Sequence, residues 1–197
     1  IIQSMFLHVG LGNPGILYRN HRHNVGFMAI DHLIEYYNIS KSKNKFNGEY
    51  AKINKANGVS IYFKPNKFMN NSGQPVSEII NYFSIPTSSV FVWHDEIDLK
   101  QCKVRVKRGG GHGGHNGVRD IIKHIGNNFN RIRIGIGRPT GFIDPASWVL
   151  SPFNELELKS GWIMKLLKIM AKEAYKLETN DFEGFMNKVS IIKSSSD

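Results

Sequence analysis

Val9–Asn24 reads VGLGNPGILYRNHRHN, and the placement of this stretch decides the fold. It follows the apolar run Met5–Val9, which reads as a buried strand. It precedes Val25, Met28, Ala29, His32, Leu33, Tyr36 and Tyr37, whose spacing fits one face of a helix. The stretch is therefore a strand-to-helix connection, of the kind found at the carboxyl ends of strands in α/β sheets, where ligands bind. It carries His21, His23 and asparagines able to offer an amide to a substrate. Gly10, Gly12 and Gly15 also satisfy G-x-G-x-x-G, but a dinucleotide site needs a helix opened by the third glycine and an acidic residue closing a second strand. Here Pro14-Gly15 is a turn signal, the helical period starts only at Val25, and Asp31 and Glu35 sit inside the helix.

The rest of the chain alternates strands and helices. Ser40–Asn47 is a polar, lysine-rich connection, and Ala51–Ile53 and Val59–Lys64 flank the hairpin signal Asn57-Gly58. Pro65 ends the second strand ahead of NKFMNNSG (Asn66–Gly73). Pro75 suits a first helical turn, and Val76, Ile79, Ile80 and Phe83 mark a buried face that Pro86 terminates. The apolar strand Val90–Trp93 delivers His94, Asp95, Glu96 and Asp98 after its end. Lys103–Arg108 alternates basic and apolar residues. The loop GGGHGGHNG (Gly109–Gly117) follows, and Asn116 is suited to cap a helix with buried Val118, Ile121, Ile122 and Ile125. Arg131–Ile136 alternates again, with the isoleucines inward and Arg131 and Arg133 outward. Gly137–Ser147 reads as a flap over a cleft, Ser151-Pro152 as the opening of a short helix, and Gly161–Leu177 as a stronger helix. This order predicts an α/β fold: one domain over residues 5–192, built on a twisted mixed β-sheet flanked by helices. Ile1–Ser4 read as a leader before a natural start at Met5, and the polar residues 193–197 as a disordered tail.

Composition narrows the function. In 197 residues, 26 Lys plus Arg against 16 Asp plus Glu give a net charge of +10, which favours capture of polyanions and makes nucleic acid the leading partner class. The single cysteine, Cys102, excludes an internal disulfide and a cysteine metal cluster. No long uncharged apolar run predicts a membrane span, and the amino end lacks a signal-peptide pattern, which leaves the cytoplasm as the expected compartment. No apolar stripe demands a second copy, so a monomer is expected.

The motifs GLGNPG, RHN, FMN-x-SG, HDE and GGGHGGHNG occur here in one order, together with Tyr18 and Lys64-Pro65. On them the chain resembles bacterial-type peptidyl-tRNA hydrolase from Met5 to Val189, nearly its whole length. The resemblance implies hydrolysis of the ester joining a peptide to the terminal ribose of tRNA, with no metal and no cofactor. It implies that His23 is the catalytic histidine and Asp95 the carboxylate orienting it. Asn13, Asn70 and Asn116 match amides lining the cleft, and Tyr18, Phe68 and Met69 match its walls. His115 matches a residue beside the site, and Lys107 and Arg133 match cations that hold tRNA phosphate. One departure is Lys67, which stands where the family has a small hydroxyl residue before FMN.

Elementary chemistry supports such roles. Ester hydrolysis near neutral pH needs a base for the attacking water, an imidazole can supply it, and a carboxylate on the far ring nitrogen fixes the tautomer. No G-x-S-x-G elbow supplies a serine nucleophile. An Asn amide suits the oxyanion, a role assigned to Asn116, with Asn70 placing water or peptide. Without the family, His21 and His23 stand equal as base, Asp95 and Asn116 also read as caps, and Phe68 and Met69 also read as core. Two rival functions follow: a non-catalytic RNA-binding protein of the same fold, and a metallohydrolase using His94, Asp95, His112 and His115.

Overall fold

The computed structural model describes residues 3–193; Ile1 and Ile2 of the expected leader and 194–197 of the expected tail lie outside the described residues. Within the leader, the Ser4 carbonyl accepts a hydrogen bond from Val59 N at 2.8 Å. The strands are β1 (Met5–Gly10), β2 (Lys43–Lys45), β3 (Gly48–Lys55), β4 (Gly58–Pro65), β5 (Val90–Glu96), β6 (Val104–Arg108) and β7 (Asn130–Gly135). They form one seven-stranded sheet in the order β2-β3-β4-β1-β5-β7-β6. The centre, β4-β1-β5-β7, is parallel, and the β2-β3-β4 edge and the β6 edge are antiparallel. This is the expected mixed sheet.

The period-2 alternation of the strands splits the core into two layers. Leu7 and Val9 of β1 pack with Val76, Ile79 and Ile80 of α2 (Gly73–Phe83) and with Val118 and Ile121 of α3 (Asn116–Ile125). On the opposite face, α1 (Val25–Tyr36) contributes Val25, Ala29, Ile30 and Leu33. They pack with Ile163, Leu166 and Met170 of a later helix, Trp162–Glu173. The chain thus leaves β1 on one face of the sheet and returns to β5 from the other. That divergence opens a crevice at the carboxyl ends of β1 and β5. The helix on the near side is pressed hard against them: a Cβ on Gly26 would lie 2.2 Å from the Trp93 carbonyl oxygen and 2.5 Å from Leu11 N.

Several local expectations are corrected. The Ser40–Asn47 connection contains the edge strand β2. The flap is partly helical, as α4 (Pro145–Val149), and Ser151-Pro152 opens no helix: Pro152 forms a β-bridge to His21, and α5 (Glu155–Lys159) starts after a capping box at Asn154. The long helix is divided into α6 (Trp162–Glu173) and α7 (Tyr175–Glu178), and α8 (Phe182–Val189) follows. The cap of α3 is His115, not Asn116, which is the first helical residue. Arg131 does not face outward: it is 1% exposed, because the glycine loop folds over it and the Gly110 and Gly111 carbonyls accept from its guanidinium.

Candidate active site

Three of the sequence motifs meet through two asparagines. Asn13 N donates to Asn24 Oδ1 and Asn24 Nδ2 returns a bond to the Asn13 carbonyl, both at 2.9 Å, while Asn13 Oδ1 accepts from Met69 N at 2.8 Å. The GNPG loop, the RHN turn and the FMN segment are therefore locked together, with the Asn13 Nδ2 amide left to offer to a ligand. The 3-10 turn Arg22–Asn24, just ahead of α1, carries His23 to the end of β5.

There, His23 Nδ1 lies 2.9 Å from both carboxylate oxygens of Asp95, which is 4% exposed. His115 Nε2 lies 2.9 Å from Asp95 Oδ1, and His115 Nδ1 accepts from Val118 N at 3.3 Å. The acceptor role of that nitrogen leaves His115 Nε2 as the protonated one, so Asp95 takes a donor from each ring. Burial alone would raise the Asp95 carboxyl, but the His23 and His115 rings, by charge and hydrogen bond, hold it far below the usual carboxylate range. Burial pulls the His23 imidazole down, and the charge and hydrogen bond of Asp95 together outweigh it, so its pKa lies above the ordinary value. With Nδ1 occupied, His23 has only Nε2 free for proton transfer.

The cleft beside this pair has a volume of about 520 Å³. Asn13, His23, Met69, Asn70, Asp95, His115 and Asn116 line it, so most of the residues expected from the sequence converge. Asn116 Oδ1 accepts from Arg119 Nη1 at 3.1 Å, which orients the amide and frees its Nδ2. The flap adds Pro145, Ala146, Val149 and Leu150 as an apolar wall. Tyr18 and Phe68 are not in this lining; their rings meet edge to face at 6.1 Å, with Phe68 half exposed next to Met69. His21 is not in it either. Its ring contacts Tyr18, and burial and the neighbouring His23 push its pKa down.

The metal set weighed from sequence does not assemble. His94 is buried, its Nδ1 bonds the Asp95 carbonyl at 2.7 Å, and burial, with the charge of His115, pushes its pKa down to about 3. His112 Nδ1 accepts from Gly114 N. Among the described residues, the grouping with ligand atoms close enough to share an ion is His23, Asp95 and His115, within 4.8 Å of one another. Their three shortest contacts, each 2.9 Å, are already hydrogen-bonding contacts in which ring N–H groups point at the carboxylate, an arrangement suited to proton transfer.

The peptidyl-tRNA hydrolase family model matches residues 7–197. The chain belongs to the peptidyl-tRNA hydrolase family. It is 42% identical over 187 residues to the peptidyl-tRNA hydrolase of Methylobacterium radiotolerans, covering 95% of this chain and 92% of the relative. It is 42% identical over 187 residues to that of Ruegeria sp., covering 95% of this chain and 75% of the relative. The crystal structure of peptidyl-tRNA hydrolase from Acinetobacter baumannii superposes with a TM-score of 0.85 at 35% identity, covering 98% of each chain. The chain is accordingly an enzyme that hydrolyses peptidyl-tRNA, and the non-catalytic RNA-binding reading is not favoured.

Lys107 and Arg133, the cations expected from the sequence to hold tRNA phosphate, lie outside the cleft, on the β6–β7 edge. Lys107 pairs with Arg131 and Arg105 with Arg133 across the strands, so all four side chains share one sheet face. Lys107 is exposed, whereas Arg133 Nε donates to Glu96 Oε2 at 2.9 Å. Asn24 and the α4 wall were not singled out as site residues from sequence; the RHN motif contained Asn24, and a helix start signal at Asp144-Pro145 was available for α4. Among the described residues no helix is long and apolar enough to cross a membrane.

Proposed function

We propose that His23 is the general base of peptidyl-tRNA hydrolysis and that the nucleophile is water. His23 Nε2 takes a proton from water as its oxygen bonds to the ester carbonyl carbon. The tetrahedral intermediate collapses by breaking the bond to the ribose oxygen, which receives the proton from His23. Free peptide acid and tRNA leave. Asp95 holds the tautomer and stabilises the imidazolium, and a positioned base of this kind contributes about 10²–10⁴ in rate. The free amide of Asn116 serves the developing oxyanion, Asn70 places water or peptide, and Asn13, Tyr18, Phe68, Met69 and His115 shape the binding surface.

The observation that carries this reading is the His23–Asp95 contact, 2.9 Å to both oxygens, at the wall of an open cleft. Outside the cleft, Lys107 and Arg133 receive phosphate near the tRNA acceptor end. The working unit of this reading is a monomer. The compartment of this reading is the cytoplasm, where peptidyl-tRNA arises in translation. The test is His23→Ala assayed on N-blocked aminoacyl-tRNA: turnover should fall by at least about 10² while tRNA binding persists. Undiminished turnover would remove His23 from the mechanism.

A further inference from the structure

Arg22 precedes the histidine and is 8% exposed. Its Nη1 donates to Ser151 Oγ at 2.8 Å, to the Ser151 carbonyl at 3.2 Å and to the Pro152 carbonyl at 2.6 Å. The guanidinium lies 3.8 Å from the centre of the Trp148 ring and 5.2 Å from that of Phe153. Trp148 belongs to α4 and donates from Nε1 to the Gly137 carbonyl at 2.8 Å, so it fixes the root of the flap as well. The same short helix presents Ala146 and Val149 to the cleft. Arg22 is thus the side chain that joins the turn carrying His23 to the apolar wall across from it.

Two kinds of contact hold this junction, and they are separable. The backbone bonds, Arg22 N to the Ser151 carbonyl at 3.0 Å and Phe153 N to the Asn20 carbonyl at 2.9 Å, do not need the guanidinium. They tie the backbone of the turn to residues 151–153. What the guanidinium adds is its bonds to the Ser151 and Pro152 oxygens and its grip on Trp148, hence on α4. A planar, delocalised cation suits that task, since it stacks on an indole while its edge donates to several carbonyls; an ammonium cannot do both.

We propose that Arg22 is a positioning residue for the hydrolase reaction: held between Trp148 and the 151–152 carbonyls, its guanidinium sets the distance from the α4 wall to His23 and thereby the fit of the cleft to substrate. The inference rests on the proposed role of His23 and goes beyond it by giving the neighbouring residue a role in substrate fit. It requires the effect of losing the guanidinium to appear in KM, because α4 is released while the catalytic turn stays paired.

The test is Arg22→Met in the full chain labelled with 5-fluorotryptophan, whose three indoles, Trp93, Trp148 and Trp162, each give one fluorine resonance. KM for N-acetyl-aminoacyl-tRNA should rise about tenfold while kcat stays within about twofold, since a misplaced wall degrades fit without removing a reacting group. The acid limb of kcat against pH should not move, and only the Trp148 resonance should shift. An unchanged KM, or a fall in kcat with a displaced acid limb, overturns the proposal. If Arg22→Met perturbs all three resonances, Trp148→Leu decides: it keeps the carbonyl bonds, should raise KM with kcat retained, and refutes the proposal if KM is unaltered. His23→Asn run alongside separates the two readings, because full turnover in that variant sinks the base assignment while the KM result still judges Arg22.

Discussion

Asp95→Asn tests the catalytic geometry most directly. The carboxylate offers acceptors to two rings, with both oxygens 2.9 Å from His23 Nδ1 and one of them also 2.9 Å from His115 Nε2. An amide has a single acceptor oxygen, so in either orientation His23 Nδ1 finds an NH2 group where one of its two carboxylate acceptors was. Where that NH2 faces the ring, the His23 proton moves to Nε2, the nitrogen needed to accept a proton from water. In the serine-protease template the equivalent change lowers kcat by about 10⁴, or about 5 kcal/mol at 1.36 kcal/mol per decade. Because His115 competes for the remaining oxygen, the expected loss here is about 10³–10⁴. The pH profile gives a second reading with a fixed sign. In the proposed mechanism the base is neutral His23, so kcat should rise as pH passes upward through its pKa. Asp95 is what raises that pKa against the effect of burial, so its removal should move the limb to lower pH. Initial rates of N-blocked aminoacyl-tRNA hydrolysis across the acid and neutral range, with a thermal melt as fold control, measure both quantities. A loss below about tenfold, or a limb displaced to higher pH, would refute the reasoning.

Two further outcomes follow from charge placement. Lys107→Ala should weaken tRNA binding and lower the slope of log K against log salt by about one, while Arg133→Ala should lower it by less, because Glu96 already offsets that guanidinium; slopes equal to wild type in filter-binding titrations would move the phosphate site elsewhere. Far from the cleft, Glu178 accepts from Ser60 Oγ at 2.6 Å, His8 Nε2 at 3.0 Å and Lys55 Nζ at 3.1 Å. Burial would raise its carboxyl, but these partners lower it from 4.5 to about 2. A depressed carboxylate stabilises the fold above its unfolded pKa, and that stability is lost as pH falls from 4.5 towards 2. Glu178→Gln should therefore cost at most about 3 kcal/mol at neutral pH and flatten the stability profile over that window. Urea melts showing the same acid dependence as wild type would contradict it.

What the sequence made legible was whatever repeats with a period or punctuates a chain. The faces of α1, α2 and α3 and the Asn57-Gly58 hairpin were readable because half-buried elements write their burial into residue spacing. β2 was not, since its three residues, Lys-Asn-Lys, are all exposed and carry no alternation. Arg131 read as outward because a basic residue in alternation with isoleucines suggests a solvated face. Which loop covers that face is a tertiary fact, and here the glycine segment supplies carbonyls to satisfy the guanidinium. The site was legible as a set of residue types, but His21 and His23 could not be told apart without knowing that only the second reaches β5. Nor did spacing reveal that His115 serves Asp95 and caps α3 with the same ring.

The close docking of Gly26 has a consequence for how this enzyme tolerates change. One methyl group at position 26 would act as a wedge, prying the start of α1 away from the strand ends and carrying the adjacent imidazole with it. The alignment proposed for catalysis is thus held by a gap with no room for a single carbon, as much as by any polar bond. A substitution that alters no charge and no hydrogen-bonding group would disable the chemistry from behind.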